Sequence, residues 1–86
     1  MPRVIFTHTV SDPAFWASKH ADRVAAFAAW GTNVVDHQSA DGKHCAVSVD
    51  VHDMDAMQAS METPEMAAAK QAHGVQEPVI VHIENS

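Results

Sequence analysis

The sequence has little positive charge, a single cysteine and no long hydrophobic run. Its 86 residues contain five Lys and Arg against eleven Asp and Glu, which gives a formal net charge of -6. No basic cluster is present that could neutralise the phosphates of a nucleic acid, so we expect no nucleic-acid partner. The longest apolar run, residues 24–30, is far shorter than the roughly 20 residues that cross a bilayer, so we expect no membrane partner.

The single cysteine and the residues at the N-terminus further limit the class of protein. With Cys45 alone, neither an internal disulfide nor a cysteine-based zinc site can form. The N-terminus lacks the apolar stretch of a secretory signal peptide, and we therefore expect a cytoplasmic protein. A chain of this length forms one domain, residues 1–86, and buries only about 60% of the surface that its unfolded form exposes.

Local sequence signals predict four strands and two helical regions. Asp12-Pro13 and Thr63-Pro64 each combine a helix-capping side chain with a proline at the first helical position. Asp41-Gly42 is typical of a tight hairpin turn. The predicted elements are a strand at 3–10, a helix at 13–30, strands at 32–39 and 44–51, helical segments after Asp53 and from Thr63 to His73, and a strand at 78–84. The first helix is predicted to bury Trp16, His20, Val24, Phe27 and Ala28.

The order βαββαβ predicts a ferredoxin-like α+β fold with a four-stranded antiparallel sheet in the spatial order 4-1-3-2. Both helical regions, the second of them split in two, then cover one face of the sheet. The opposite face, here called the open face, must be solvated or covered by something else. It is predicted to carry Phe6, Ala46 and Ile80 beside polar groups. Because the core is thin and 47% of the residues are apolar, we expect a homodimer through this face.

Two segments resemble the dimeric α+β barrel superfamily of antibiotic-biosynthesis monooxygenases, polyketide cyclases and muconolactone isomerases. In residues 8–16 a strand ends in His-x-Val, and an acidic residue shortly precedes a helical Trp. In residues 63–69, followed by His73-Gly74-Val75, a capped helix leads into the last strand. The resemblance implies a face-to-face dimer of sheets and a small apolar pocket in each subunit. No catalytic motif of a particular member matches residue for residue, so no site residue is carried over.

Seven histidines stand out in the composition, and several are predicted to converge on the open face. The turn at 41–42 sets His37 opposite Ala46, with His8 near Ala46 on the neighbouring strand and His82 next to Phe6. Imidazoles titrate near neutrality and suit general acid–base chemistry. The predicted catalytic residues are His8, His82 and Asp50, and the predicted pocket residues are Phe6, His37, Ala46, Ser48 and Ile80.

A metal site is the main alternative for the same residues. His8, His37, Asp50 and His52 are ligand types that zinc or non-haem iron accepts. No H-x-x-x-H or H-E-x-x-H pattern occurs, so we expect no metal and no other cofactor. The methionines at 54, 57, 61 and 66 are typical of adaptable core packing rather than of a soft-metal site.

Three functions remain open at the level of sequence. The leading hypothesis is a small-molecule-binding, cofactor-independent enzyme of the monooxygenase, cyclase or isomerase type, acting on a small apolar or aromatic compound. In this enzyme His8 and His82 form the acid–base pair, and Ser48 or Asp50 orients one of them. The second hypothesis is a histidine and carboxylate metal-binding protein. The third is a non-catalytic dimeric binding module in which histidines make dimerisation depend on pH.

Overall fold

A computed structural model describes residues 2–85 as one four-stranded sheet and four helices. In chain order the elements are β1 Arg3–Val10, α1 Pro13–Ala17, α2 His20–Phe27, β2 Gly31–Gln38, β3 His44–Val51, α3 Met54–Met61, α4 Pro64–Ala72 and β4 Val75–Ile83. The strands are antiparallel in the order β2-β3-β1-β4. This is the ferredoxin-like arrangement, so the predicted α+β fold and strand order are confirmed.

Three of the helices begin where their capping residues predict. Side-chain oxygens of Asp12, Asp53 and Thr63 accept hydrogen bonds from backbone N–H groups in the first turn of α1, α3 and α4. Proline follows Asp12 and Thr63 at the first helical position, where a backbone N–H group would have no helical partner. These local bonds fix the starts of the helices independently of the rest of the fold.

The first helical region is broken, whereas the sequence predicted one helix over residues 13–30. The Ser18 hydroxyl donates to the Phe15 carbonyl at 2.6 Å, and the Ser18 N–H group is shared between the carbonyls of Ala14 and Phe15. Serine side chains compete in this way with regular helical bonding. Helix α1 therefore ends before Ser18, and α2 starts anew at His20.

The break changes which residues of α2 are buried. Arg23 and Phe27 face the interior, whereas Val24 is 42% exposed and the His20 side chain is nearly half exposed. The predicted stripe is therefore wrong at His20, Val24 and Ala28, which are all exposed. The prediction assumed one continuous helix from Trp16 onward. Because the helix is broken, the residues after the break are rotated about the helix axis relative to their predicted positions.

The hairpin of β2 and β3 has the predicted register near its turn and an irregularity at its far end. His37 lies opposite Ala46, which confirms that prediction. Between Thr32 and Val35 the register shifts, and Asn33 adopts a left-handed backbone conformation with φ of 55°. Thr32 is therefore the residue opposite Asp50, where the register near the turn, continued without a shift, would predict Asn33.

Strand β4 starts at Val75, earlier than the predicted range 78–84. It starts there because Gly74 ends α4 with a φ of 76°, and the Gly74 carbonyl accepts a hydrogen bond from the Ser11 N–H group. Pro78 is accommodated because β4 is an edge strand and its register with β1 shifts between Thr7 and Thr9.

The core lies between the sheet and the helices. The sheet contributes Val4, Phe6, His8 and Val10 from β1 and Cys45, Val47, Val49 and Val51 from β3, and the helical side contributes Trp16, Phe27, Trp30 and Met57. Gly31 allows β2 to pack here, since a Cβ atom at this position would lie 2.6 Å from Val49 Cγ2. No helix within residues 2–85 is long and apolar enough to cross a membrane.

Candidate functional site

A cavity of about 260 Å³ lies between the sheet and the helices. Its wall is mainly apolar and includes Phe6, Phe27, Val47, Met61, Met66 and Val79. The small side chains of Ala26 on α2 and Ala69 on α4 form part of the same wall and leave this space unfilled. An apolar cavity with a few polar groups is the usual form of a small-molecule site. We therefore take this cavity as the candidate functional site.

His8 is the titratable side chain of β1 in the cavity wall. It is 8% exposed and meets the ring of Trp16 edge-on, with 5.6 Å between ring centroids. His8 Nδ1 lies 3.3 Å from the Thr9 carbonyl oxygen, so donation from Nδ1–H leaves the lone pair on Nε2. Burial lowers the pKa of His8, and the positive charge of Arg23 lowers it further. His8 is therefore a neutral imidazole at pH 7 and can accept a proton.

Arg23 of α2 is a buried cation in the same wall, which the sequence analysis did not single out. It is 6% exposed and donates to Asp36 of β2 from Nε at 3.2 Å and from Nη2 at 2.5 Å. Nη2 also donates to the Trp16 carbonyl at 2.8 Å, and the guanidinium carbon lies 4.1 Å from the centroid of the Trp16 ring. His20 Nδ1 approaches the same Asp36 carboxylate at 3.1 Å. No spacing within a single helix marks Arg23, because α1 ends at Ala17 and Arg23 belongs to α2, which starts anew at His20.

Polar groups of α4 complete the wall. His73, which follows the last residue of α4, has Nε2 3.9 Å from the Asp22 carboxylate, and burial lowers its pKa. Lys70 donates to Glu77 at 3.1 Å, and both side chains are partly or fully accessible to solvent. The charged groups around the cavity are therefore arranged mostly as opposite pairs, which leaves little net charge beside the apolar space.

Most of the predicted site residues lie on the other side of the sheet, on the open face. Arg3 donates to Asp50 at 2.7 Å and to Ser48 at 2.8 Å, and His37 Nε2 lies 2.9 Å from the Ser48 hydroxyl. The Arg3 bond, followed by a bond from Asn33, lowers the pKa of Asp50. The open face thus brings Ser48, Asp50 and His37 into one hydrogen-bonded network.

His82, Ala46 and Ile80 also lie on the open face, but outside this network. Thr7 of β1 is opposite Ala46 on one side and Ile80 on the other, and its hydroxyl lies 3.4 Å from His82 Nε2. Ile5 is opposite both Ser48 and His82, so its side chain separates His82 from the network.

The predicted placement of His8 and Phe6 on the open face is wrong. In the register of β1 and β3, Phe6 is opposite Val47 and His8 is opposite Cys45, so both side chains point toward the helices. Neighbouring residues of a strand point to opposite faces, and an error of one residue exchanges the two sets. The sheet therefore separates His8 from His82 and Asp50, and Phe6 and His8 line the cavity instead.

The residues that the alternative hypothesis of a metal site would use are likewise not brought together. Within residues 2–85, no three His, Cys, Asp or Glu side chains converge in an arrangement that could hold a metal ion. His8 lies on the helix-facing side of the sheet, whereas His37 and Asp50 lie on the open face. The buried thiol of Cys45 has a raised pKa because of its burial.

A scan against protein-family models and a search of curated proteins find no match. Solved structures, in contrast, share the fold over nearly the whole chain. A Bordetella bronchiseptica protein assigned as an antibiotic biosynthesis monooxygenase is 19% identical with a TM-score of 0.76, over 99% of this chain and 95% of that one.

Two Streptomyces structures are similar to this chain as well. SnoaB from Streptomyces nogalater, a cofactor-independent oxygenase, has a TM-score of 0.71 at 17% identity, over 99% of this chain and 91% of its own. A monooxygenase from Streptomyces coelicolor, ActVA-Orf6 in complex with nanaomycin D, has a TM-score of 0.66 at 16% identity, over 99% and 86%. The resemblance seen in the sequence is thus confirmed at the level of structure: the chain has the α+β fold of the antibiotic biosynthesis monooxygenases.

Proposed function

We propose that this protein is a small-molecule-binding enzyme of the oxygenase type, which takes an apolar or aromatic compound into the cavity between sheet and helices. The observation that carries the proposal is an apolar cavity with a buried histidine in its wall, whose pKa is lowered by that burial. A cavity of about 150 Å³ holds benzene, so the space in this protein suits a compound of about two fused rings. The shared fold with a cofactor-independent oxygenase and with a ligand-bound monooxygenase supports the assignment.

His8 supplies the acid–base chemistry in this proposal. Its neutral imidazole accepts a proton from an acidic C–H or O–H group of the bound compound, and the apolar wall excludes water from the resulting anion. Molecular oxygen then oxidises this electron-rich anion. Conversion of a CH₂ group to a carbonyl consumes one O₂ and releases one water, so the compound itself supplies the electrons. His82 and Asp50, which the sequence grouped with His8, belong to the open face in this assignment.

Filling the cavity tests the proposal. Ala69 on α4 lines the cavity, whereas its neighbour Ala68 is exposed. We expect Ala69→Trp to abolish both the binding of two-ring ketones and phenols and the oxygen uptake that they stimulate, and Ala68→Trp to change neither. Binding is followed by calorimetry, and oxygen uptake with an oxygen electrode. Full binding by a folded Ala69→Trp variant would show that the compounds bind elsewhere and would refute the proposed site.

We further propose that the protein is a homodimer formed through the open face. Ile5, on the central strand β1, and Ile80, on the neighbouring strand β4, are exposed on this face. The polar side chains of Arg3, Asp50, Ser48 and His37 already have hydrogen-bond partners within the chain. Polar groups that are already hydrogen-bonded can be covered at little cost. A stable symmetric interface of this kind buries well over about 1,000 Å².

A charge in the centre of the open face is expected to dissociate the dimer. Ile5→Asp places an unpaired carboxylate on the central strand β1, where the Ile5 residue is 38% exposed. Val24→Asp is the control, because Val24 lies on α2, away from the open face, and is similarly exposed at 42%. We expect the parent and Val24→Asp to have the mass of a dimer in light scattering and Ile5→Asp that of a monomer. A parent chain that is monomeric at micromolar concentration would contradict the proposal.

A further inference from the structure

We infer that His73 and Asp22 bind a neutral hydroxyl group at the mouth of the cavity, the opening beside Asp22 and Ala26 of α2. The cavity then prefers compounds that carry an O–H group at one end of an apolar body. This inference rests on the proposed use of the cavity as a small-molecule site. His73 caps the end of α4, Asp22 is in the first turn of α2, and both line the cavity. His73 Nε2 lies 3.9 Å from Asp22 Oδ2.

The exposure of the lining residues locates the mouth. Asp22 and Ala26 are one helical turn apart on α2, and both line the cavity although both are exposed. The cavity therefore meets solvent along this side of α2. The side chain of His73 is 13% exposed and that of Asp22 is 65% exposed, so His73 is on the inner side of the mouth and Asp22 on the outer side. A group held between them lies where the apolar space meets water.

The ring of His73 is available to a ligand. Its separation of 3.9 Å from Asp22 is too long for a hydrogen bond, and the ring has no other polar partner within residues 2–85. The buried side-chain nitrogens without a partner in the same residues belong to Trp16, Arg23 and Trp30, and the ring nitrogens of His73 are not among them. These ring nitrogens therefore retain accessible surface, which the three buried nitrogens do not.

The separation of 3.9 Å suits a single oxygen atom that contacts both side chains. Hydrogen bonds of this kind are about 2.7–3.0 Å long, so an oxygen beside the line joining the two atoms reaches both. A hydroxyl group there accepts from His73 Nε2–H and donates to Asp22 Oδ2. The Asp22 carboxylate favours the imidazole proton on Nε2, since the partner of a ring nitrogen determines which nitrogen is protonated. Burial lowers the pKa of His73, so its imidazole is neutral at pH 7 and keeps one N–H donor.

Other head groups use this pair less completely. An ether or ketone oxygen accepts from His73 but has no proton to donate to Asp22. An unsubstituted hydrocarbon makes neither bond. A carboxylate brings a second negative charge beside Asp22, and like charges at this distance repel each other. A neutral hydroxyl group is the head group that satisfies both partners.

The neighbouring cations do not offset the charge of Asp22 for an anionic ligand. They are already engaged by other groups: Arg23 contacts Asp36, Lys70 contacts Glu77, and the Lys19 ammonium lies 5.0 Å from the centroid of the Phe15 ring. An anionic head group would therefore face a carboxylate without a free cation at the mouth.

The apolar end of the cavity lies two turns of α4 away from His73. Met66 lines the cavity seven residues before His73, which is about 10 Å along the axis at 1.5 Å per residue. Met61, at the end of α3, is part of the same wall. A hydroxyl group bound at His73 directs the far end of an elongated two-ring compound toward Met66. His8 is on β1 and His73 is in the helical layer, so the two imidazoles contact such a compound from different sides.

Four probes with the same ring system measure the preference. 2-Naphthol carries the O–H group, 2-methoxynaphthalene keeps the oxygen without its proton, naphthalene lacks the oxygen, and 2-naphthoate carries a charge. We expect the parent protein to bind 2-naphthol about fivefold or more tightly than each of the others, since one net hydrogen bond contributes a factor of about that size. Affinities are measured by calorimetry at pH 7, where 2-naphthol is neutral. The ¹⁵N resonance of His73 Nε2 is expected to shift with 2-naphthol and not with naphthalene.

Variants assign the preference to the pair. His73→Phe keeps a planar ring without nitrogens and is expected to bind 2-naphthol and naphthalene equally, with naphthalene bound as in the parent. Asp22→Ala is expected to bind 2-naphthol no more tightly than 2-methoxynaphthalene. It changes an exposed side chain and serves if His73→Phe does not fold. His52→Phe and Asp55→Ala, at exposed sites outside the cavity wall, are the matched controls and are expected to keep the full preference.

The outcomes distinguish this inference from the proposed function. Equal affinity of the parent for 2-naphthol and naphthalene would overturn the hydroxyl site and leave the cavity as a small-molecule site. Equal affinity for 2-naphthol and 2-methoxynaphthalene would overturn the role of Asp22, and tighter binding of 2-naphthoate would overturn the selection for neutral compounds. A preference that persists in both His73→Phe and Asp22→Ala would assign it to another group. Absence of binding by all four probes would overturn both this inference and the proposed function.

Discussion

Replacing His8 with Gln is expected to lower the turnover number of the proposed oxygenase at least about a hundredfold, because general-base catalysis contributes about that much or more. Glutamine keeps a polar side chain of similar reach but accepts no proton near neutrality. Ligand affinity is expected to stay within a factor of a few, since most of the cavity wall is apolar and unchanged. Initial rates of oxygen uptake at saturating and limiting substrate give the two quantities separately.

His82→Gln is the matched control for this prediction. His82 is the histidine that the sequence paired with His8, and the structure places it on the open face beside Thr7. We expect its replacement to leave the turnover number unchanged. An equal loss in both variants would contradict the assignment of His8 as the sole base and would favour the pairing that the sequence predicted.

The same His8 variant has a stability signature with a defined sign. Burial lowers the pKa of His8 in the folded chain below the value of about 6.5 that it has when unfolded. Below that value the unfolded state binds more protons, so this contribution to the free energy of unfolding is present above about pH 6.5 and is lost as the pH falls through the folded pKa. Thermal unfolding from pH 7.5 to 5.0 should therefore depend on pH less steeply in His8→Gln. His44→Gln, at an exposed site, is the control.

Replacing Asp36 with Ala is expected to lower the free energy of unfolding by about 3–5 kcal/mol, since it leaves a buried cation without its partner. Arg23 is 6% exposed, and no other carboxylate among residues 2–85 bonds to its guanidinium group. Urea denaturation followed by tryptophan fluorescence measures the change. The comparison pair is Lys70 with Glu77, whose carboxylate side chain is 69% exposed against 17% for Asp36.

Two further variants make the Asp36 prediction specific to burial. Glu77→Gln breaks the exposed pair and is expected to have a much smaller effect, because solvent and salt screen such pairs. Arg23→Met combined with Asp36→Leu removes both charges and is expected to restore most of the lost stability. If the double variant is as unstable as Asp36→Ala, the loss comes from packing around Asp36 and not from the unpaired charge.

The elements of this fold were predictable where their signals are local. Asp12, Asp53 and Thr63 cap helices through bonds that span three residues, and the turn at 41–42 sets the register of its own hairpin. The break at Ser18 was not predicted, because serine is compatible with a helix interior and only its bond to the Phe15 carbonyl marks the end of α1. The strand order followed from the order of elements, since few topologies satisfy βαββαβ.

The candidate site was predictable only in part. The faces of β1 could have been assigned from the alternation of Phe6 and Val10 with Thr7 and Thr9, which would have placed His8 on the helix-facing side. The pairing of Arg23 with Asp36 had no comparable signal. It joins α2 to β2 across a loop and depends on how the helix lies over the sheet, which residue spacing within one element does not determine.

The polar network of the open face has a consequence for how the protein distinguishes partners. Arg3, Asp50, Ser48 and His37 bond to one another within one chain. In a dimer formed through this face, Arg3 and Asp50 neutralise each other within one chain and do not repel the sheet of a related protein, so rejection of wrong partners depends on the fit around Ile5 and Ile80. A face of this kind permits exchange of subunits between close relatives of similar surface shape. Mixed dimers would then combine two different cavities in one assembly.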